Sequence, residues 1–245
     1  MKLCPILLSR RSALASLAAI ASLPLLPRMA PAVQAMRIGI IGAGSLGGTV
    51  GRLWVKAGHE VFFSSREPEQ LIPMVRELGP RASSGTAGQA AQFGAVLLFA
   101  VPYDALPALG RELQPALHGK VVLDACNDVP GSDNPLAREA AVNGFGQTSA
   151  KYLAGSRLVR AFSAVDASAI AASAGRNSGK LGVPIAGDDS EAVQLAAQLV
   201  LDANCEPVVV GNLAAARSFQ RGSPSFRANV TAAELRRLLG LAEGK

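Results

Sequence analysis

Met36-Arg37-Ile38-Gly39-Ile40-Ile41-Gly42-Ala43-Gly44-Ser45-Leu46-Gly47-Gly48 carries a short apolar run straight into the pattern G-x-G-x-x-G. In that pattern Gly42 turns the chain where a strand ends, Gly44 lets a pyrophosphate reach the backbone, and Gly47 lets the next helix pack close on a sheet. The first turn of that helix offers free N–H groups to the phosphates. The pattern alone is weak in a chain with 25 glycines, so its surroundings decide its meaning.

Downstream, Leu46, Val50, Leu53, Trp54 and Ala57 fall at helical spacing and make one apolar stripe, with Trp54 read as core. Gly58 stops this helix, and Glu60 to Ser64 reads as the second strand. Pro68 to Leu78 is expected as a helix, Ala82 to Thr86 as a short strand with a Thr cap, and Ala87 to Phe93 as another helix. Ala95 to Val101 is a continuous apolar run, the mark of a strand buried on both faces in a parallel sheet. Pro102 ends it, a helix follows from Tyr103 or Asp104, and Lys120 to Asp124 is the next strand.

This alternation predicts an α/β fold with a doubly wound, mostly parallel sheet. Asp128 to Gln147, rich in Pro, Gly, Asn and Ser, is expected as a long loop over the site. Arg157 to Phe162, Val183 to Gly187 and Pro207 to Gly211 read as strands, the last two around a helix from Ser190 to Ala203. Thr231 to Glu234 is a capping box opening a final helix. The expected division is an export signal over residues 1–35, a dinucleotide-binding part over 36–165 and a small C-terminal part over 166–245.

The end of the second strand selects the cofactor. A NAD site places an Asp or Glu about 20 residues beyond the glycines to bind the ribose 2′-OH. Ser64-Ser65-Arg66 stands there instead. Two hydroxyls and a guanidinium suit a 2′-phosphate, which a carboxylate would repel, so NADP is the expected cofactor. The competing reading is an arginine on a solvated loop, kept open by the neighbouring Glu67.

At 49% hydrophobic and 17% charged, the chain of 245 residues has the material for a full core. Its formal charge of +6 hints at an acidic partner. Lys2, Arg10, Arg11 and Arg28 precede Met36 with no acid among them, however, and without them the charge is about +2. That is too little to argue for nucleic acid. The first 35 residues resemble a twin-arginine export signal: Ser9-Arg10-Arg11-Ser12-Ala13-Leu14, an Ala/Leu run to Leu26, and cleavage options after Ala32 or Ala35. A different secretory signal or an uncleaved anchor are the alternatives. The run from Ala13 to Leu26 falls short of the roughly 20 apolar residues of a comfortable span. A periplasmic protein without a stable membrane span after cleavage is therefore expected.

Several pieces together resemble a known family, the NADPH-dependent reductases of the 8-hydroxy-5-deazaflavin coenzyme (coenzyme F-420) and their bacterial dinucleotide-binding relatives. They are Arg37 to Gly47, Ala57-Gly58-His59-Glu60-Val61, Ser64-Ser65-Arg66, Ala100-Val101-Pro102-Tyr103, Asp124-Ala125-Cys126-Asn127, Arg160-Ala161-Phe162, Ala186-Gly187-Asp188-Asp189 and Gly211 to Arg217, in that order. The resemblance implies a Rossmann-type sheet with a small C-terminal α/β extension closing over a cleft, in which Ala43, Gly44, Ser45 and Leu46, between Gly42 and Gly47, cradle the pyrophosphate. It implies that Ser65 and Arg66 hold the 2′-phosphate, that Val101, Pro102 and Asn127 line the nicotinamide, and that Ala105 faces the cofactor too. Read without it, Pro102 is equally a helix start and Asn127 equally an Asx turn. The chain departs from many relatives at Ser163, where they carry Asn, at Cys126, where Thr is frequent, and in the tail after Phe219.

Hydride transfer to a flavin-like ring asks for stacking and orientation more than for a protein acid or base. The chain fits that demand. His59 and His118 stand in turns away from any plausible nucleophile, so a Ser-His-Asp hydrolase is not expected, and His59 reads as a structural turn residue. Asp188-Asp189 reads as a cap on the Ser190 helix rather than an acid or metal pair. Cys126 and Cys205 fit no zinc spacing, and Cys205 reads as a small buried residue. Tyr103 and Asp104 are the nearest proton-bearing groups. No catalytic residue and no metal ligand is assigned. The expected function is an oxidoreductase moving hydride between NADP(H) and a flavin, deazaflavin or similar small acceptor, with a non-catalytic NADP-binding sensor or scaffold as the alternative. A homodimer is the one macromolecular partner left open.

Overall fold

The computed structural model describes residues 34–128 and 134–242; the expected export signal over residues 1–35 lies, up to residue 33, outside the described residues. Eight strands make one sheet in the order β3-β2-β1-β4-β5-β6-β7-β8. They are β1 Arg37–Ile41, β2 Glu60–Ser64, β3 Ala82–Gly85, β4 Val96–Phe99, β5 Val121–Asp124, β6 Arg157–Arg160, β7 Gly182–Gly187 and β8 Glu206–Gly211. All neighbouring pairs are parallel except β6 with β7. The expected division near residue 165 falls at that reversal, and the sheet runs through it unbroken.

Every residue of β4 and β5 is buried, because helices cover both faces of the sheet. On one face lie α1 (Ser45–Ala57), α2 (Ile72–Leu78), α7 (Ala167–Ser173) and α8 (Ser190–Asp202). The other face carries α3 (Ala87–Phe93), α4 (Leu106–Leu117), α5 (Pro135–Asn143) and α6 (Phe145–Tyr152). The helical stripe read from sequence is the buried face of α1, with Val50 and Trp54 fully enclosed. Gly58, in the left-handed region, ends that helix by donating its N–H to the last turn. Thr86 with Gln89, and Thr231 with Glu234, form reciprocal capping boxes on α3 and on α9 (Ala232–Leu238). Among the described residues no helix is long and apolar enough to cross a membrane.

The expected loop from Asp128 to Gln147 is corrected: α5 and the start of α6 fill most of it. Asn134 accepts the Leu136 N–H at 2.9 Å and Pro135 occupies the first helical turn, so the residues read as breakers are start signals. Leu136, Ala140 and Phe145 then anchor both helices in the second core.

Candidate dinucleotide-binding site

The strand order reverses between β1 and β4, and the loops leaving their carboxyl ends meet there. Gly42 has φ +98°, and a Cβ on it would lie 2.5 Å from the Ala100 carbonyl oxygen and 2.7 Å from Val101 Cγ1. A Cβ on Gly47 would lie 2.1 Å from the Gly42 carbonyl oxygen, so the turn and α1 interlock through the missing side chain. Gly44 faces open space, with nothing within 4 Å of its would-be Cβ. No side chain caps α1, and the Ala43 N–H is fixed on the Ser64 carbonyl at 2.8 Å. A rigid turn, an open approach and uncapped N–H groups together fit a pyrophosphate.

Beyond β2 the three expected residues separate. Ser64 is buried and its hydroxyl donates to the Ile40 carbonyl at 2.7 Å. It closes the strand end and presents no hydroxyl to a ligand, which corrects the expectation of two hydroxyls there. Ser65 Oγ accepts the Glu67 N–H at 2.9 Å and is half-buried. Arg66 is exposed, with no ion-pair partner among the described residues. The Glu67 carboxylate accepts from Gln70 instead of pairing with it.

Beyond β4 and β5, Pro102 and Asn127 bridge the two loops, and Tyr103 N–H donates to the Asn127 carbonyl at 3.2 Å. Val101 and Ala105 are half-buried and Pro102 is exposed. The Asn127 side chain is spent inside the protein. Its Nδ2 donates to the Ser163 carbonyl at 2.6 Å and its Oδ1 accepts from Arg160 at 3.3 Å. All the sequence-expected residues therefore lie at the carboxyl ends of β1, β2, β4 and β5, which are neighbours in the sheet, or in the first helical turn that follows them. That is where an open parallel sheet holds its ligands.

Sequence reasoning missed the polar knot under this rim. Arg160 and Asp124 are both buried, and their side chains meet at 2.7 Å. The same Arg160 nitrogen donates to the Cys126 carbonyl at 2.7 Å, and Asp124 Oδ1 accepts the Cys126 N–H at 2.9 Å. Phe162, with φ +60°, turns the chain after β6 and sets its ring edge-on to Trp54 at 6.0 Å. A charge ending each of two neighbouring strands was the available signal, and only the sheet order makes it one.

The nearby titratable groups are structural. Tyr103 is buried, its hydroxyl donates to the Phe145 carbonyl at 2.9 Å, and burial followed by the Asp124 charge pushes its pKa up. Burial and the same carboxylate raise the Cys126 thiol, and burial raises Cys205 to about 11. His59 is enclosed between the Met36 N–H and Asp202. Asp189 accepts the Glu191 and Ala192 N–H groups as the α8 cap, and Asp188 accepts the Leu213 N–H. The C-terminal segment folds back onto the loops after β5 and β6: Arg221 donates to the Asp128 carbonyl at 2.9 Å and the Arg227 N–H to the Ala164 carbonyl at 2.9 Å.

Residues 37–128 match the family of coenzyme F420-dependent NADP oxidoreductases. The match begins at β1 and ends just after Asn127, and it supports an NAD(P)-dependent oxidoreductase. Beyond that family match, the chain is 27% identical over 191 residues to the metalloreductase STEAP3 of Rattus norvegicus, covering 76% of this chain and 36% of that protein. The chain thus spans about a third of that relative's length. A hypothetical protein of Sinorhizobium meliloti superposes with a TM-score of 0.70 at 26% identity, over 80% of this chain and 95% of the other. A structure from Arthrobacter sp. FB24, provisionally described as an F420-dependent NADP reductase, gives 0.62 at 20% identity over 75% and 88% of the two chains. At that identity the likeness concerns the fold.

Proposed function

We propose that the chain is an NADP-binding oxidoreductase moving hydride between NADP(H) and a flavin, a deazaflavin or a similar small acceptor. The observation that carries the cofactor choice is Arg66, an exposed guanidinium without a carboxylate partner where an NAD site would hold an acid. With Ser65 it offers paired donors to a 2′-phosphate. The N–H groups of Gly44, Ser45 and Leu46 cradle the pyrophosphate, and Val101, Pro102, Ala105 and the Asn127 backbone line the ring. Bound NADPH supplies the hydride and the electronics of its transfer. The protein's share is orientation, which suits a rim whose tyrosine and thiol are held protonated and buried. The family description supports a deazaflavin-type acceptor.

A fluorescence titration with NADPH and NADH tests the cofactor, and equal affinities would remove the NADP assignment. Turnover with FMN, FAD and a deazaflavin tests the reaction; tight NADPH binding without oxidation by any of them leaves a sensor or scaffold. We further propose export by the twin-arginine route with NADP already bound, since that route carries folded proteins. Mass spectrometry of protein taken from the periplasm should find the nucleotide, and nucleotide-free protein there would refute the point.

A further inference from the structure

We infer that Arg160 is a positioning residue: paired with Asp124, it holds the Asn127 carboxamide and through it the Pro102–Asn127 contact that floors the nicotinamide position. The inference rests on the dinucleotide reading above for where the ring lies. Its own ground is the geometry of the guanidinium.

A buried ion pair is poor value as glue, because desolvating both charges offsets most of their attraction, and an apolar pair would hold β5 to β6 as well. What an apolar pair could not do is reach several acceptors at once. Arg160 donates to Asp124 Oδ2 at 2.7 Å, to the Cys126 carbonyl at 2.7 Å and to Asn127 Oδ1 at 3.3 Å. Its fork therefore fixes the path of the chain leaving β5 over residues 124–127. A lysine, a point charge on a flexible stem, cannot match that fork.

The hold extends further. With Oδ1 on the cation, Nδ2 of Asn127 is turned to the Ser163 carbonyl at 2.6 Å, joining the loops after β5 and β6. The Asn127 carbonyl then takes the Tyr103 N–H at 3.2 Å, joining the loop after β4. Three loops thus share one anchor. Arg160 Nε has no partner among the described residues, so the acceptors dictate the side chain's pose rather than its own saturation.

The test uses the full chain and its Arg160→Lys, Asn127→Ala and doubly substituted forms. Each is titrated with NADPH, or with NADH should only that bind, by calorimetry for the Kd and by the emission of the bound nicotinamide for the ring, and each is then mixed with FMN in single turnover. The phosphate cradle is untouched, so the Kd should stay within about threefold. The gain in bound-ring emission should be lost in both single variants, and hydride transfer should fall about 10- to 100-fold. The double variant should be no worse than the worse single one. Unchanged emission in the folded variants, or additive losses, would overturn the inference. If Arg160→Lys does not fold, Asn127→Ala alone decides by the same emission. A wild-type protein that binds NADPH but reduces no flavin removes the proposed reaction and leaves the emission test standing. Failure to bind either nucleotide overturns both.

Discussion

Trp54 Nε1 donates a 2.8 Å hydrogen bond to the Leu199 carbonyl, tying α1 to α8 across 145 residues of chain. His59, one turn further along, sits between the Met36 N–H at 3.2 Å and Asp202 at 3.0 Å. The helix that leaves the glycine turn is therefore pinned to the C-terminal third of the protein. Leu199 O also accepts the Ala203 N–H, so removing the indole leaves no orphaned carbonyl. Trp54→Phe should accordingly cost about 1 kcal/mol, whereas Trp54→Ala should cost about 3–5 kcal/mol through the cavity it opens. Urea denaturation of the two variants measures the difference.

The glycines of the turn should separate ligand binding from folding. Gly44→Ala adds a methyl group in open space and should leave the melting temperature unchanged while weakening NADPH binding. Gly47→Ala drives a Cβ against the Gly42 carbonyl and should lower both. Thermal melts with and without nucleotide distinguish the two patterns.

Arg66→Ala should reduce NADPH affinity by about 10- to 100-fold, the worth of a lost charge-assisted contact, and leave NADH affinity unchanged. Competition titrations against the wild type read this directly. An equal loss for both nucleotides would assign Arg66 to the pyrophosphate instead.

Asp189 predicts a pH dependence. The Arg157 guanidinium, bound at 2.6 and 2.7 Å, and then the Ala192 and Glu191 N–H groups hold its carboxyl well below the usual range. A depressed folded-state pKa adds stability above the unfolded value of about 3.9 and loses it as pH falls toward the folded value. Asp189→Asn, which keeps a capping oxygen, should melt below the wild type at neutral pH, with the gap closing under about pH 4. Paired melts across that range check the sign.

Much of this architecture is legible locally. The glycine turn, the stripe of α1, the apolar run of β4 and both Thr capping boxes are short-range patterns, and they fall where the periodicity puts them. Ser64 misled because its sequence neighbours gave no hint that its hydroxyl turns back onto β1. The helices α5 and α6 were hidden by Pro135 and Gly144, residues that open a helix as readily as they break one. Arg160 was invisible for a deeper reason. Its partners lie 33 to 36 positions away, and only the pairing of β5 with β6 brings them together.

That pairing has a consequence for how the chain assembles. Asp124 and Arg160 are direct Cα partners in the parallel ladder. A slip of one residue between β5 and β6 would send the two side chains to opposite faces, each a lone charge in an apolar layer. A buried charge stripped of its partner costs about 3–5 kcal/mol, a large part of a domain's total stability. The Val and Leu residues of the two strands would by themselves tolerate several alignments. The ion pair leaves them one, so the same two residues act first as a registration mark during folding.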